Sequence, residues 1–349
     1  MQYKKHTISR LTMPYPLGTL VRNGERCVVA ATEDHGPIMI ARPPYGEAAE
    51  MVPGPGGCMA LVADEEQPGT LYAIMGCFIG YKFQSGGIYR IGPEPGNAAE
   101  KLIGLPFAHR IDLVDRGGTR YMIAATLAAD KSEPSDWSRP GTLYASRVPR
   151  QTGEVWNLVP VLEGIHRNHG LLVSPFMGRR SVLVSGTEGL FAADLEASGD
   201  DWGFRQVIGR EISEIAVSDV DGDGKDELIT IEPFHGNSVS VYKPASGQWQ
   251  KVWEAELDFG HCLLAGKING APSILVSNRA GSRDLLLFQF DGHSARGDAD
   301  FAEPQRFVVD PGAGSANMLV MSHDGADCIF AANQVAGEIV SYIPVTAAG

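Results

Sequence analysis

Asp219–Lys243 reads DVDGDGKDELITIEPFHGNSVSVYK and holds three things in order. An acidic loop comes first, with Asp219, Asp221 and Asp223 at positions 1, 3 and 5, Gly222 and Gly224 between and after them, and Glu227 at position 9. Carboxylates at that spacing on a glycine-kinked loop are oxygen ligands for a hard cation, calcium before others. The expectation is a structural Ca²⁺ held by Asp219, Asp221, Asp223 and Glu227. A short apolar run, Leu228–Ile231, follows the loop. His235–Gly236 then turns the chain into the alternating run Ser238–Tyr242. Strand, turn and returning strand make one hairpin of an antiparallel sheet.

The apolar strand recurs seven times: Val28–Thr32, Leu71–Gly76, Tyr121–Thr126, Val182–Thr187, Leu228–Ile231, Ile274–Asn278 and Cys328–Asn333. Starts lie 43 to 61 residues apart. Each is followed by an alternating run: Pro37–Ala41, Gly87–Ile91, Thr142–Val148, Gly189–Leu195, Ser238–Lys243, Leu285–Phe290 and Glu338–Ile343. Six units show a further strand, near Ala49–Val52, Lys101–Ile103, Val155–Leu162, Phe204–Ile208, Lys251–Leu257 and Arg306–Val309. The seventh lacks one, while Lys5–Leu11 precedes the first unit unassigned. The N-terminal strand is therefore expected to complete the last unit and close the ring, leaving no sheet edge open. Four-stranded repeats of this length describe an all-β, seven-bladed propeller in one domain, residues 1–349. An eighth blade hidden between Tyr121 and Val182 is the alternative. The metal loop decays in other units, to Arg22-Asn23-Gly24-Glu25, Asp115-Arg116-Gly117-Gly118, Lys267-Ile268-Asn269-Gly270 and His323-Asp324-Gly325.

Composition narrows the setting. Among 349 residues, 42 Gly and 22 Pro suit many short strands joined by turns. No apolar run reaches the roughly 18 residues of a membrane span. MQYKKHTISRLTMPYP has no apolar core behind its lysines, so it does not read as a signal peptide and the cytoplasm is expected. Cys27, Cys58, Cys77, Cys262 and Cys328 form no CxxC pair and read as buried thiols in a reducing compartment. A net charge of −13 without a basic tract argues against nucleic acid and membrane surfaces as partners. Oligomerisation stays open.

Strand direction alternates within a blade, so the start of the first strand and the second-to-third turn share one face. His109 (PFAHRIDLV), His166 and His169 (GIHRNHGLLV) and His261 (FGHCLLAG) stand at first-strand starts. His35 (EDHG) and His235 (PFHG) stand in second-to-third turns. Six of nine histidines thus map to one face, with His109, His169 and His261 expected around a central channel and the acidic loop opposite. His6, His293 and His323 fall outside. Each alone reads as a hydrogen-bonded rim residue. Together they can hold Zn²⁺, Mn²⁺ or a similar ion with open positions, or act as bases near neutral pH. Tyr81, Lys82, Arg110, Arg167, Asn168, Glu232, Asn237 and Arg279 join them as polar groups on that face, Lys82 and Glu232 foremost.

DVDGDGKDEL and its repeats resemble FG-GAP or VCBS-type propeller repeats, found in adhesion proteins and in enzymes. Trp202–Lys243, above all PFHGNSVSVYK, together with FAHRIDLV, IHRNHGLLV and GHCLLAG, resembles the propeller domain of the aldos-2-ulose dehydratase (1,5-anhydro-D-fructose dehydratase) family. Blade 2 departs from it, opening with Gly56-Gly57-Cys58 and no histidine. The resemblance implies a lyase or dehydratase of carbohydrate metabolism acting on a small keto-sugar, or on a 3-keto-glycoside. Such β-elimination needs a base and a cation beside the developing oxyanion. His109, His169, His235 and His261 form the ligand pool; His166 or His35 is the base; Lys82 or Tyr81 is the acid for the leaving oxygen. A non-catalytic propeller that binds a protein or a glycan is the competing class.

Overall fold

The computed structural model describes residues 2–78, 80, 83–93, 98–149, 154–291 and 301–345. Its strands form seven four-stranded antiparallel sheets, the fold class of a seven-bladed propeller. Two compact units divide them, Leu11–Glu211 and Met1–Arg10 together with Ile212–Gly349.

β1 (Tyr3–Arg10) stands alone before the first blade. Blade 1 is β2 (Pro14–Arg22), β3 (Glu25–Thr32), β4 (Ile38–Ala41) and β5 (Ala49–Val52). Blade 2 is β6 (Ala60–Ala63), β7 (Leu71–Met75), β8 (Gly87–Ile91) and β9 (Glu100–Gly104). Blade 3 is β10 (Ala108–Arg116), β11 (Thr119–Thr126), β12 (Gly141–Arg147) and β13 (Val159–Ile165). Blade 4 is β14 (Gly170–Phe176), β15 (Arg179–Gly186), β16 (Gly189–Asp194) and β17 (Arg205–Ile208). These four make up the first unit. In the second unit, blade 5 is β18 (Glu214–Ser218), β19 (Glu227–Glu232), β20 (Ser238–Ala245) and β21 (Gln248–Glu256). Blade 6 is β22 (Gly260–Ile268), β23 (Ala271–Asn278), β24 (Leu285–Gln289) and β25 (Gln305–Asp310). Blade 7 is β26 (Ser315–His323), β27 (Ala326–Asn333) and β28 (Glu338–Pro344), with β1 as its fourth strand.

The recurrent apolar run is the second strand of every blade. β7 and β19 are buried along their whole length, and the other five over their C-terminal halves. Such a strand is buried on both faces, which is why it reads as a continuous apolar run rather than an alternating one. In the core shared by blades 5 and 6, Ile229, Ile231, Val239 and Val241 pack with Ile274, Val276 and Phe288. Each such side chain contributes about 1.5–3 kcal/mol on leaving water.

Five first-to-second-strand turns are two-residue hairpins with positive φ at both positions: Asn23-Gly24, Gly117-Gly118, Met177-Gly178, Asn269-Gly270 and Asp324-Gly325. This is the type I′ geometry that suits the strand twist. The other two blades differ: blade 2 joins these strands through residues 64–70, and blade 5 through the acidic loop. The extra length of unit 3 goes into the 127–140 connection and the approach to β13, and the described residues there hold no further blade. The fourth strand of blade 3 begins at Val159 rather than Val155. Among the described residues, no helix is long and apolar enough to cross a membrane. All five cysteines are buried.

β1 pairs antiparallel with β28 from Tyr3↔Pro344 to Arg10↔Glu338. The Lys5 ammonium fastens this pairing, touching Asp310 of β25 at 2.8 Å and the carboxylate of Glu338. Asp310 also accepts from the Tyr342 hydroxyl at 2.6 Å, and that hydroxyl accepts from Asn333 at 2.8 Å. Removing residues 2–10 bares the β28 edge; the truncated chain is expected to self-associate on size-exclusion chromatography, and an equally stable monomer would show the pairing to be dispensable. Asp112 of β10 tests the core differently. Burial pushes its carboxyl up to about 6, against the Leu113 N–H and Arg180, which lower it. A raised carboxyl makes the fold prefer the neutral form, so its contribution is lost as pH rises through 4 to 6. Asp112→Asn is expected to stabilise the protein by about 1–3 kcal/mol at pH 7.5 and by little near pH 4, read from urea melts at both pH values.

Candidate functional site

A repeated backbone device places the histidines. A left-handed residue precedes the first strand in five blades: Met13 (φ 51), Gly57 (φ 58), Phe107 (φ 60), Phe259 (φ 60) and Gly314 (φ 56). Two residues on, the ladder slips at Tyr15, His109, His261 and Ala316. A bulge residue falls out of the hydrogen-bond ladder and its side chain is re-aimed. His109 and His261 are such residues and are 3% and 1% exposed. Blade 4 reaches the same result without a bulge. Arg167 (φ 50) turns the chain, and Asn168 and His169 follow, both buried, with the His169 N–H on the Ser185 carbonyl.

In the first unit, the His109 and His169 rings lie 4.5 Å apart. Tyr15 Oη stands 3.0 Å from His109 Nε2. Arg110 Nε donates to the His169 carbonyl at 3.3 Å. His166 is half-buried, with Nδ1 2.6 Å from Glu188 Oε1, and its backbone N–H donates to Glu188 Oε2 at 2.8 Å. A carboxylate only accepts, so a proton sits on Nδ1 between the ring and Glu188. Arg167 pairs with Glu211 at 2.7 Å, and Thr187 Oγ1 donates to the same carboxylate. His35 is exposed and stacks on Phe78 with centroids 4.1 Å apart. Tyr81 and Lys82 lie outside the described residues, as does His293.

In the second unit, the His235 and His261 rings lie 5.0 Å apart. His235 is left-handed (φ 48), with its ring against Phe234 and Phe259. His261 Nδ1 is 2.9 Å from the carbonyl of Ala316. Ala316 is itself a bulge residue, which leaves that carbonyl free of the ladder. A carbonyl only accepts, so His261 carries a proton on Nδ1, as does a metal-ligating imidazole whose other nitrogen is anchored. Glu232, singled out in the sequence as a substrate contact, serves its own blade instead. Its carboxylate accepts from Thr230 and Tyr242 at 2.6 Å each. Arg279 pairs with Gln334.

The acidic loop lies at the other end of blade 5 from His235. Ligand oxygens of Asp219, Asp221 and Glu227 fall within 4.8 Å of one another, a donor set that fits a hard cation. Asp223 turns instead to Lys243 at 2.8 Å. The same ammonium touches Asp221 and stands 3.7 Å from Glu227 Oε1. Burial opposes charge here, yet Lys243 and the Lys225 N–H hold Asp223 below the usual carboxylate range. Burial also pushes Glu227 up to about 7, against the Val220 N–H.

Sequence reading missed Tyr15, Glu188 and Lys131. Glu188 had a signal, lying between the second and third strands of the blade that carries His166. Lys131, in the long loop of blade 3, rests 3.1 Å from the centre of the Trp137 ring, and burial lowers its pKa to about 8. A cavity of about 730 Å³ runs along β12 and β13 beside Arg116 and Trp202, and no histidine lines it.

The FG-GAP repeat matches residues 213–242, which span β18 to the end of the alternating run in β20 with the acidic loop between. No curated protein matches the chain. Among solved structures, BBS1N, crystallised in complex with ARL6DN, is similar with a TM-score of 0.57 at 13% identity, over 99% of this chain and 97% of that one. The β-propeller domain of Cps50 (Swd1) from Myceliophteria thermophila is similar with a TM-score of 0.61 at 12% identity, over 98% of this chain and 100% of that one. These likenesses are of fold.

Gly236 sets the turn that carries His235: a Cβ there would meet the Glu232 carbonyl oxygen at 2.0 Å, whereas one on Gly104 meets nothing within 4 Å. Gly236→Ala is expected to cost about 2–3 kcal/mol in thermal or urea unfolding, and Gly104→Ala under about 0.5 kcal/mol. Equal effects would show that the turn relaxes freely.

Proposed function

We propose that this chain is a carbohydrate-active lyase that eliminates a leaving group β to the carbonyl of a keto-sugar or 3-keto-glycoside, with a divalent ion as cofactor. The observation that carries this reading is the Nδ1 anchoring of His166 on Glu188 and of His261 on Ala316, which fixes the orientation of both rings. Imidazoles oriented through Nδ1 are the form used by general bases and by metal ligands.

His166 is the base. Glu188 fixes its ring and stabilises the imidazolium formed when Nε2 takes the proton next to the carbonyl. His35, exposed and stacked on Phe78, has no comparable anchor among the contacts described above. Ligands would come from the His109–His169 pair of the first unit or from the His235–His261 pair of the second, and Mn²⁺ or Zn²⁺ suits imidazole nitrogen. When bound, such an ion supplies positive charge against the oxyanion that develops on the carbonyl oxygen. Lys82 and Tyr81 remain candidate acids for the leaving oxygen. Lys131, with its pKa lowered to about 8, adds a third.

Proton NMR of the protein with a 3-keto-glucoside and with 1,5-anhydrofructose, each with EDTA or with Mn²⁺, tests the reading. A vinylic proton that appears with Mn²⁺ and is lost with EDTA is the expected result. His166→Asn is expected to lower the rate by about 10²–10⁴ while retaining metal. His169→Ala or His261→Ala, whichever belongs to the pair that holds the ion, is expected to lower metal content by mass spectrometry. No product from either sugar with any metal would overturn the lyase and favour a binding module.

A further inference from the structure

We propose that the Lys243 ammonium is the resident cation of the Asp219–Glu227 loop, tethered by its own strand where a calcium ion would otherwise sit. This inference stands apart from the proposed reaction and uses none of its residues.

Lys243 lies on β20, opposite Gln250 of β21, and its side chain crosses to the loop that joins β18 to β19. Its ammonium contacts Asp221, reaches Asp223 at 2.8 Å and faces Glu227 at 3.7 Å. The side chains involved are only 18% (Lys243), 4% (Asp221), 18% (Asp223) and 0% (Glu227) exposed, so these charges meet with little water to screen them. The remaining carboxylate oxygens are used by the loop's own backbone. Asp219 accepts from the N–H groups of Gly222 and Gly224, Asp221 from Asp223, Asp223 from Lys225, and Glu227 from Val220. Glu227 Oε1 is buried and makes no hydrogen bond among the described residues, so the ammonium contacts two carboxylates and only faces the third.

A calcium ion takes six to eight oxygens at about 2.3–2.6 Å. Asp219, Asp221 and Glu227 supply such oxygens, but Asp221 and Glu227 also face the ammonium. Ion and ammonium carry like charge and cannot share these oxygens at contact distance. Calcium therefore enters only as Lys243 leaves, and tethering gives Lys243 a high effective concentration at the site. The consequence is a loop with the sequence of a calcium site and the behaviour of a salt-bridged turn.

The test is a calorimetric titration of the full, EDTA-dialysed chain with CaCl₂, paired with thermal unfolding in EDTA and in millimolar CaCl₂. The wild type is expected to bind with Kd weaker than about 1 mM and to melt at the same temperature in both buffers. Lys243→Met, which keeps the stem and removes the charge, is expected to bind at least about tenfold more tightly and to melt higher with calcium. One wild-type site of micromolar Kd, a wild-type melt lowered by EDTA, or a variant that binds no more tightly would each overturn the proposal. If the variant folds only with calcium, that supports it. If it does not fold at all, the wild-type titration decides.

Discussion

The second strand of each blade is the constraint on which everything else hangs. It is hydrogen-bonded on both edges and buried over most of its length, so it is built mainly of apolar side chains, from Ala31 to Tyr72 and Phe330. The first and third strands then have fixed partners, and their ends have fixed directions. Every functional position in the chain is defined relative to that strand: bulges at one end of the first strand, hairpin turns at the other, and histidine turns where the second strand hands over to the third.

Within that frame, small backbone irregularities do the positioning. A left-handed residue two positions ahead sends His109, His261 and Tyr15 out of the ladder. The same device in blade 7 exposes the Ala316 carbonyl that holds His261. Thus one repeated distortion supplies both a side chain and the anchor that orients it. At the other end of blade 5, the turn that needs two residues in five other blades has become a carboxylate loop, and a lysine from the third strand neutralises part of its charge.

The apolar runs made the seven blades readable, because a strand buried on both faces leaves a signal of composition as well as of period. The β1–β28 pairing was readable by counting, since one blade lacked a strand and one strand lacked a blade. The histidine positions followed from strand direction alone. What stayed hidden depends on contacts between residues far apart in sequence. His166 meets Glu188 across 22 positions, Tyr15 meets His109 across 94, and Lys243 reaches Asp223 across 20. Glu232 misled because an acidic residue beside a turn looks exposed, whereas Thr230 and Tyr242 draw it into the blade. Val155 misled in the same way, as an apolar residue that precedes its strand rather than starting it.

The β1–β28 seam also has a history in time. Thr7 and its partner Glu338 are 331 residues apart. At ribosomal speeds of about 5–20 residues per second, β1 is made roughly 15–70 s before the strand it pairs with. Through that interval its backbone groups bond to water instead of to a partner strand. Its sequence, YKKHTISR, places Lys4, Lys5 and Arg10 along it. Like charges of this kind discourage premature pairing with a neighbouring chain. The lysine that later clasps Asp310 and Glu338 thus serves first as the strand's guard during synthesis.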